Sequence, residues 1–237
     1  MLDLGLSNEV LFAGFLFGGL ALALGASYFG KLFLYTLMIA ITIYINIAEA
    51  KVVEVFGYAT TLGTALFGVL YFATDLLTER YGKAASFTAI KLGIFATIIF
   101  HLFMQATLQA DVIADFEGDT FFADFDGALD GVFTVSLRIV AASLFVYALI
   151  QSFDVWLFQK IKDKTGEGKL WLRNNVSTIT SQGLDTVLFF FLAFYGTMPN
   201  AVIWEMVVVG FGFKVIVALF DTAFIYTSKR FTPLDKR

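Results

Sequence analysis

The stretch Ser136–Lys160, "SLRIVAASLFVYALIQSFDVWLFQK", combines a length suited to a membrane with polar side chains that a membrane disfavours. An apolar run of about 18 residues or more can cross a hydrocarbon core of roughly 30 Å, and this run is long enough. It contains Arg138, Gln151 and Asp154. A charged side chain at mid-bilayer costs about 2.5–3.5 kcal/mol on insertion scales, so such residues usually face the interior of a helix bundle. The stretch therefore predicts a membrane-spanning helix with a polar, inward-facing side.

The composition of the whole chain agrees with a membrane protein. Of its 237 residues, 59% are hydrophobic, 17% are aromatic and only 15% are charged, whereas a soluble domain averages about 25% charged residues. The first apolar run follows Asp3 and Glu9 rather than a basic segment, so we do not expect it to be a signal peptide. The absence of cysteine excludes disulfides, thiolate metal sites and a cysteine nucleophile.

Hydropathy predicts an all-α integral membrane protein, a polytopic bundle of seven transmembrane helices, with six as the alternative. The spans lie at roughly 10–29, 32–50, 59–78, 86–109, 132–158, 176–197 and 201–228. The weakest boundary is between the first two spans, where only Gly30 and Lys31 interrupt the apolar run. No internal repeat or linker is visible, so residues 1–237 are predicted to form a single transmembrane transporter domain.

The positions of Lys and Arg predict which loops face the cytoplasm, because short cytoplasmic loops carry an excess of these residues. Twelve of them fall on one side of a seven-span topology: Lys31, Arg80, Lys83, Lys160, Lys162, Lys164, Lys169, Arg173, Lys229, Arg230, Lys236 and Arg237. The other side has Lys51 and a loop over 110–131 that contains seven carboxylates. We therefore predict a multi-pass plasma-membrane protein with its N-terminus outside and its C-terminus in the cytoplasm. The acidic loop is either an outer vestibule or lid, or a solvated connector.

Helical spacing, at about 100° per residue, decides which polar residues of the fifth span share a face. Ser143, Tyr147, Gln151 and Asp154 fall within an arc of about 80°, whereas Arg138 lies about 160° from Asp154. Arg138 belongs to the outer part of the span, where a long side chain can reach the interface. The fifth span therefore has one polar stripe and one separate outer cation.

Other spans carry polar residues at comparable spacing. The residues that share a face are Thr178, Gln182, Asp185 and Phe189 in the sixth span, Tyr71, Asp75 and Glu79 in the third, Lys214 and Asp221 in the seventh, and Lys91 and Gln105 in the fourth. Asn46 lies near the outer end of the second span. Charges on different helices neutralise each other only where the helices converge, which favours a polar, partly hydrated cavity in the inner half of the bundle. The alternative is a structural network that holds the helices together.

Such a cavity suits a flat heterocycle. Asp and Gln side chains offer acceptors and donors to a nucleobase edge, and Tyr147 or Phe189 is suited to stack on its face. We assign substrate binding or gating to Asn46, Asp75, Tyr147, Gln151, Asp154, Thr178, Gln182, Asp185 and Lys214. We assign a charge network to Lys91, Arg138 and Asp221.

The sequence lacks the motifs of several other classes. It has no G-x-x-x-x-G-K-[ST], so this chain is not predicted to hydrolyse ATP. It has neither H-E-x-x-H nor G-x-S-x-G, and its single His argues against Ser–His chemistry. We therefore expect no enzyme activity, no metal and no cofactor. The expected partners are a small molecule and membrane lipid, without nucleic acid.

Several sequence segments resemble those of one known protein family. They are "IN" at Ile45–Asn46, "YFATDLLTERYG" at Tyr71–Gly82, "LRIVAASLFVYALIQSFDVWLFQKI" at Leu137–Ile161, "LWLRNNVSTITSQGLDTVLFFFLAFYG" at Leu170–Gly196 and "GFKVIVALFDTAFIY" at Gly212–Tyr226. In this order they resemble the queuosine precursor transporter family, also called the vitamin uptake transporter family. The matching positions are Asn46, Thr74, Asp75, Gly82, Arg138, Ser143, Gln151, Asp154, Ser177, Thr178, Asp185, Thr186 and Lys214. Members of the family commonly begin near the second span, so the first span is a departure.

The resemblance implies a carrier that imports 7-deazaguanines, such as 7-cyano-7-deazaguanine, for the modification of guanosine in tRNA. Alternatives remain open at this point. One is a substrate-capture subunit for another vitamin-like heterocycle that works with separate ATPase partners. The others are an intramembrane enzyme and an assembly protein. Neither a coupling ion nor an ATPase partner can be read from the residues.

Overall fold

The chain is described here from a computed structural model that covers residues 5–49, 51–111, 113, 120–133, 137–166, 168–197 and 199–237. Within these ranges it forms eight α-helices, one β-hairpin and a final 3-10 turn at Leu234–Lys236. The helices are α1 (Asn8–Phe29), α2 (Lys31–Ala48), α3 (Leu62–Tyr81), α4 (Lys83–Thr107), α5 (Phe121–Phe133), α6 (Leu137–Thr165), α7 (Leu170–Phe194) and α8 (Asn200–Ser228). The hairpin strands are β1 (Val52–Val55) and β2 (Tyr58–Thr61).

The predicted all-α membrane architecture is confirmed, and each predicted span corresponds to one long helix. In the described part of the chain, α1, α2, α4, α6, α7 and α8 are long and apolar enough to cross a membrane. The remaining long helix, α3, is buried from Gly63 to Thr78 except at Phe67. Since α1, α2, α4 and α8 pack around α3, it contacts protein rather than lipid and tolerates a lower hydropathy.

Two glycines with positive φ separate consecutive helices. Gly30 (φ 122°) ends α1 before α2, and Gly82 (φ 80°) ends α3 before α4. A side chain at Gly30 would collide with the carboxylate of Asp235, because the C-terminal tail folds against this turn. Asp235 accepts hydrogen bonds from the Lys31 backbone amide at 2.8 Å and from the Tyr81 hydroxyl at 2.7 Å. The break predicted at Gly30 is therefore real.

The predicted alternation of loops between two ends of the bundle is also found. At one end, which we call the basic end, Arg80 donates to the carbonyls of Ser228 and Phe231, and Lys162 contacts Glu79. At the opposite end, which we call the hairpin end, Asn8 Nδ2 donates to the carbonyl of Glu54 at 2.9 Å. The start of α1 and the end of α8 therefore lie at opposite ends.

The β-hairpin differs from the prediction that the third span begins at residue 59. Val52 pairs with Thr61 and Val55 with Tyr58 in an antiparallel register. Phe56 and Gly57 form the two-residue turn with φ values of 52° and 80°, the positive φ pair that suits a tight hairpin. α3 starts after this hairpin, where the Thr61 side chain accepts a hydrogen bond from the Thr64 amide.

The acidic loop contains a helix that the sequence pattern did not predict. α5 covers Phe121–Phe133, and Thr120 donates to Asp124 at 2.8 Å in its first turn. Gln105 Nε2 donates to the carbonyl of Phe133 at 3.0 Å, which joins the end of α5 to α4. Residue 132, where the fifth span was predicted to begin, therefore belongs to α5, and α6 is described from Leu137. Much of the loop's first half, 112 and 114–119, lies outside the described residues, and a vestibule or lid there stays a prediction.

Candidate functional site

One face of α7 carries a series of polar contacts to neighbouring helices. From the basic end toward the hairpin end they are Asn174 Nδ2 to Asp221 Oδ1 at 2.6 Å, Thr178 Oγ1 to Asp75 Oδ2 at 3.2 Å, and Lys214 Nζ to Asp185 Oδ2 at 2.5 Å. Positions 174, 178 and 185 are separated by four and seven residues, which places them on one side of a helix. The predicted polar face of this span is therefore the side that packs against α3 and α8.

A cavity of about 430 Å³ lies between the helices toward the hairpin end. This volume falls in the range of about 300–1,000 Å³ that small-molecule sites usually have. Its polar lining consists of Asn46, Glu49, Thr60, Thr61, Thr64, His101, Ser143, Tyr147, Asp185, Thr186 and Lys214. Its aromatic lining consists of Phe67, Phe189, Phe190 and Phe194, besides Tyr147. Small polar groups in a mostly apolar wall are the usual composition of a site that binds and orients one solute.

The ion pair between Lys214 and Asp185 is the strongest charge contact in this wall. The two residues are only 8% and 7% exposed, and Lys214 Nζ lies 5.0 Å from the centre of the Phe67 ring. A buried ammonium and a buried carboxylate stabilise each other when they pair, and either one left alone is strongly disfavoured. The pair therefore fixes a donor and an acceptor side by side at the cavity surface.

Glu49 is a cavity residue that the sequence analysis missed. It follows α2, it is half-buried, and its Oε1 accepts a hydrogen bond from Thr61 Oγ1 at 2.8 Å. Gly63 leaves the space that this carboxylate occupies. Burial raises the pKa of Glu49, although the Thr61 hydroxyl and the charge of Lys214 oppose that shift. The available signal was its position three residues after Asn46, which places both on one helical face.

The aromatic wall comes mainly from the last turns of α7. The Phe189 ring lies 5.5 Å from that of Phe190 and 6.3 Å from that of Phe194, measured between ring centres. His101 also lines the cavity, and its Nδ1 lies 2.9 Å from the Thr97 carbonyl oxygen. A carbonyl only accepts, so Nδ1 is the donor of this hydrogen bond. The wall thus offers flat apolar surfaces with a few polar atoms between them.

The structure divides the residues predicted for substrate binding or gating into two groups. Asn46, Tyr147, Asp185 and Lys214 line the cavity. The others are almost fully buried between α3, α6 and α7 and are not part of its lining: Asp75, Gln151, Asp154, Thr178 and Gln182. The polar stripes predicted for the third, fifth and sixth spans therefore do converge, with one part at the cavity and another part deeper in the bundle. Their roles in binding or gating stay predictions.

The residues predicted for a charge network lie in three different places. Lys91 is exposed on α4 and forms no ion pair with any described residue. Arg138 donates to the carbonyls of Leu192 at 2.8 Å and Tyr195 at 2.7 Å. Those carbonyls lie at the C-terminus of α7, where the partial negative charge of the helix dipole favours a cation. Asp221 is buried and accepts from Asn174, so these three groups are not brought together.

A second cluster of charged side chains lies at the basic end of the bundle. The Glu79 carboxylate of α3 contacts Arg173 of α7 at 2.6 Å, Lys162 of α6 at 3.0 Å and Lys229 beyond α8 at 3.1 Å. The Arg173 side chain is fully buried, whereas that of Lys229 is 38% exposed. From the sequence, these three cations were expected only to mark the cytoplasmic side of the membrane. The structure shows that they also join three helices to α3.

A bundle of apolar helices around a partly polar cavity is the architecture of a membrane transporter. The sequence matches the family described as "Putative vitamin uptake transporter" over residues 61–228. The chain belongs to this family.

Named relatives agree with this assignment. A Bacillus subtilis (strain 168) protein named "Probable queuosine precursor transporter" is 31% identical over 210 residues, 88% of this chain and 89% of the relative. An Escherichia coli (strain K12) protein named "Queuosine precursor transporter" is 30% identical over 171 residues, 70% of this chain and 71% of the relative. No solved structure matches the chain.

Proposed function

We propose that this protein is a plasma-membrane carrier that imports a 7-deazaguanine, such as 7-cyano-7-deazaguanine, for tRNA modification. The single observation that supports it most is the Lys214–Asp185 pair in the wall of a cavity that also has an aromatic lining. The names of the two relatives, which refer to a queuosine precursor, support the same substrate class. The cavity needs no cofactor for this task, because transport changes no covalent bond.

The chemistry of a guanine edge fits the polar groups of the cavity. The ring N–H and the exocyclic amine are adjacent donors, and one carboxylate accepts both in a charge-assisted pair of hydrogen bonds. Of the three acids predicted to bind or gate the substrate, Asp185 lines the cavity, and Asp75 and Asp154 do not. Lys214, whose ammonium contacts Asp185, is the proposed donor to the ring carbonyl. Phe189 or Tyr147 then covers one face of the bicyclic ring.

The proposed direction of transport follows from the two ends of the bundle. Lys and Arg gather at the basic end, which is the cytoplasmic end by the charge rule for short loops. The cavity lies toward the opposite end, where Thr60 and Thr61 of the hairpin contribute to its lining. A solute from outside therefore meets the cavity first, and the Glu79 cluster lies between the cavity and the cytoplasm.

The test is competition for uptake by the purified chain in liposomes, with no other protein present. Radiolabelled 7-cyano-7-deazaguanine is the substrate, and unlabelled competitors are the same compound and its adenine-like counterpart, whose edge has the reversed pattern. Each buried polar group left unpaired costs about 1–3 kcal/mol. We therefore expect the adenine-like compound to compete at least about fivefold less well. Equal competition would refute edge recognition, and no uptake by the chain alone would favour a capture subunit that needs ATPase partners.

A further inference from the structure

Three carboxyl groups from three helices lie deeper in the bundle than the cavity. Asp75 of α3, Asp154 of α6 and Asp221 of α8 are each 0% exposed. Asp75 interacts electrostatically with both Asp154 and Asp221, and Asp221 also interacts with Asp154. We call these three residues the buried acid cluster.

No described cation neutralises the buried acid cluster. Lys214 is paired with Asp185, and Arg173 is paired with Glu79. Among the residues that the structure describes, no Lys, Arg or His forms an ion pair with a member of the cluster. Ionised carboxylates in a membrane interior are strongly disfavoured without such a partner, and their mutual repulsion adds to that cost.

The hydrogen bonds around the cluster are also incomplete. Asp75 and Asp221 each accept one hydrogen bond through one oxygen, from Thr178 and Asn174 respectively. Their second oxygens, and both oxygens of Asp154, have no hydrogen-bond partner among the described residues.

Polar side chains of α7 also lack hydrogen-bond partners within the described ranges. The hydroxyls of Ser177 and Ser181 lie beside Asp154. Ser177 donates to the Asn174 carbonyl at 3.2 Å, and Ser181, which is fully buried, has no partner in the described part of the chain. Gln182, which is fully buried, lacks a partner at both its amide oxygen and its amide nitrogen within the same residues. Buried polar atoms normally have partners. Buried oxygens that lack a described partner occur on all three members of the cluster and, together with the adjacent Ser181 hydroxyl, indicate a ligand site.

The geometry favours protons over a metal ion as the ligand. A metal ion needs several oxygen ligands that converge on one point. In the described ranges, no three acidic or imidazole side chains are placed to hold one. A proton needs only one oxygen and removes the charge that the bundle does not otherwise compensate.

Polar side chains continue from the cavity through the cluster to the basic end. On α6, Tyr147 lines the cavity, and Gln151 and Asp154 follow at one-turn intervals. On α7, Asp185 lines the cavity and Asn174 contacts Asp221, about 16 Å further along the axis. This column covers about half of a hydrocarbon core of roughly 30 Å. The cluster is therefore placed between the substrate cavity and the cytoplasmic end.

We propose that Asp75, Asp154 and Asp221 form a proton-binding site that couples movement of the substrate to a proton gradient. The proton-binding step stands alone, and only the coupling step rests on the proposed function. The other titratable or charged groups that face the cluster or its neighbours are Tyr71 and Glu79 on α3, Tyr147 and Lys162 around α6, Arg173 and Asp185 on α7, and Lys214 and Lys229 on the α8 side. The Glu79 and Asp185 charges have cationic partners, which leaves the cluster as the group that takes up protons.

The first experiment measures protonation without any substrate. Infrared spectra of the purified protein at neutral pH show whether the carbonyl stretch of protonated carboxylic acids is present. We expect such a band in the wild type, a smaller band in Asp154→Asn and an unchanged band in Asp163→Asn, whose carboxylate is exposed on the same helix. Absence of the band from the wild type at neutral pH would overturn the proposal, whether or not the variants fold.

The second experiment measures coupling in liposomes loaded at a higher pH than the outside medium. A gradient of one pH unit can drive about tenfold accumulation of 7-cyano-7-deazaguanine for each coupled proton. We expect the wild type and Asp163→Asn to accumulate the label, and we expect Asp221→Asn, at a cluster member not assigned to substrate binding, to lose accumulation while it still exchanges labelled for unlabelled substrate.

Exchange without any response to the pH gradient in the wild type would overturn coupling, as would accumulation driven by sodium instead. Failure of the wild type to exchange substrate at all would count against the proposed function. The infrared result would then still decide whether the cluster binds protons.

Discussion

Lys214 Nζ of α8 lies 2.5 Å from Asp185 Oδ2 of α7, and both residues line the same cavity. The two positions are 29 residues apart in the sequence. The contact places a donor and an acceptor next to each other in a largely apolar wall. The pair joins α7 to α8, and in the proposed function it has a second role, which is to supply polar groups to the solute.

A comparison of single and double variants of the Lys214–Asp185 pair separates these two roles. Asp185→Asn or Lys214→Met leaves the other charge buried and unpaired, which we expect to cost about 3–5 kcal/mol of stability. The double variant Asp185→Asn/Lys214→Met removes both charges, so we expect its thermal stability in detergent to recover while uptake stays lost. Recovery of uptake in the double variant would show that the pair is only structural. Asp163→Asn, at an exposed carboxylate, is the control for stability.

The Glu79 cluster predicts unequal effects for its members. Glu79→Gln leaves the fully buried Arg173 without its carboxylate, so we expect a loss of about 3–5 kcal/mol. Lys229→Met removes a partner that is 38% exposed, and surface pairs of this kind contribute about 0–1 kcal/mol. Thermal unfolding followed by size-exclusion chromatography measures both variants. Equal losses would contradict the view that Arg173 is the dominant partner.

The topology predicts opposite labelling of the two ends of the bundle. Since the native chain has no cysteine, Glu54→Cys at the hairpin end and Lys164→Cys at the basic end can each be labelled alone. Both sites are exposed. In intact cells we expect an impermeant thiol reagent to label Glu54→Cys and to label Lys164→Cys only after lysis. The reverse pattern would invert the orientation, and equal labelling would refute it.

The C-terminal tail predicts a pH-dependent contact outside the membrane. Although partial burial opposes the shift, hydrogen bonds from the Lys31 amide and the Tyr81 hydroxyl lower the pKa of Asp235 below its ordinary value of 3.8. A lowered pKa means that the contact is fully present above the ordinary value and is lost only as the pH falls through the lower folded value. We expect hydrogen exchange at the Lys31 amide, relative to its intrinsic rate, to rise in Asp235→Asn at neutral pH. In the wild type it should rise only in strong acid, and unchanged exchange in Asp235→Asn would refute the contact.

Much of the fold could be predicted because membrane spans are long and their loops carry simple charge signals. The break at Gly30 and the grouping of basic residues at one end were both expected from the sequence. The hairpin over 52–61 was missed because its strands are four residues each and their apolar side chains merge with the run that follows. α5 was missed for a related reason, since its 13 residues contain carboxylates that resemble a connector.

The site could be predicted only in part. Helical periodicity identifies the polar face of each helix, but it does not identify the neighbouring helix that packs against that face. The stripes on α6 and α7 were expected, yet nothing in the sequence placed Tyr147 and Asp185 at the cavity while Gln151 and Asp154 lie deeper. Glu49 was overlooked at the edge of a span, where the hairpin folds its side chain back toward the cavity. Contacts of this kind depend on tertiary packing.

The central claim is that the cavity beside Asp185 and Lys214 binds a 7-deazaguanine, and equilibrium binding tests it most directly. Purified wild type, Asp185→Asn and Asp163→Asn are titrated with 7-cyano-7-deazaguanine in a calorimeter. Loss of a hydrogen bond to a charged group costs about 1.5–3 kcal/mol, so we expect at least about tenfold weaker binding in Asp185→Asn and unchanged binding in Asp163→Asn. Wild-type affinity in a folded Asp185→Asn variant, or no binding by the wild type, would contradict this account.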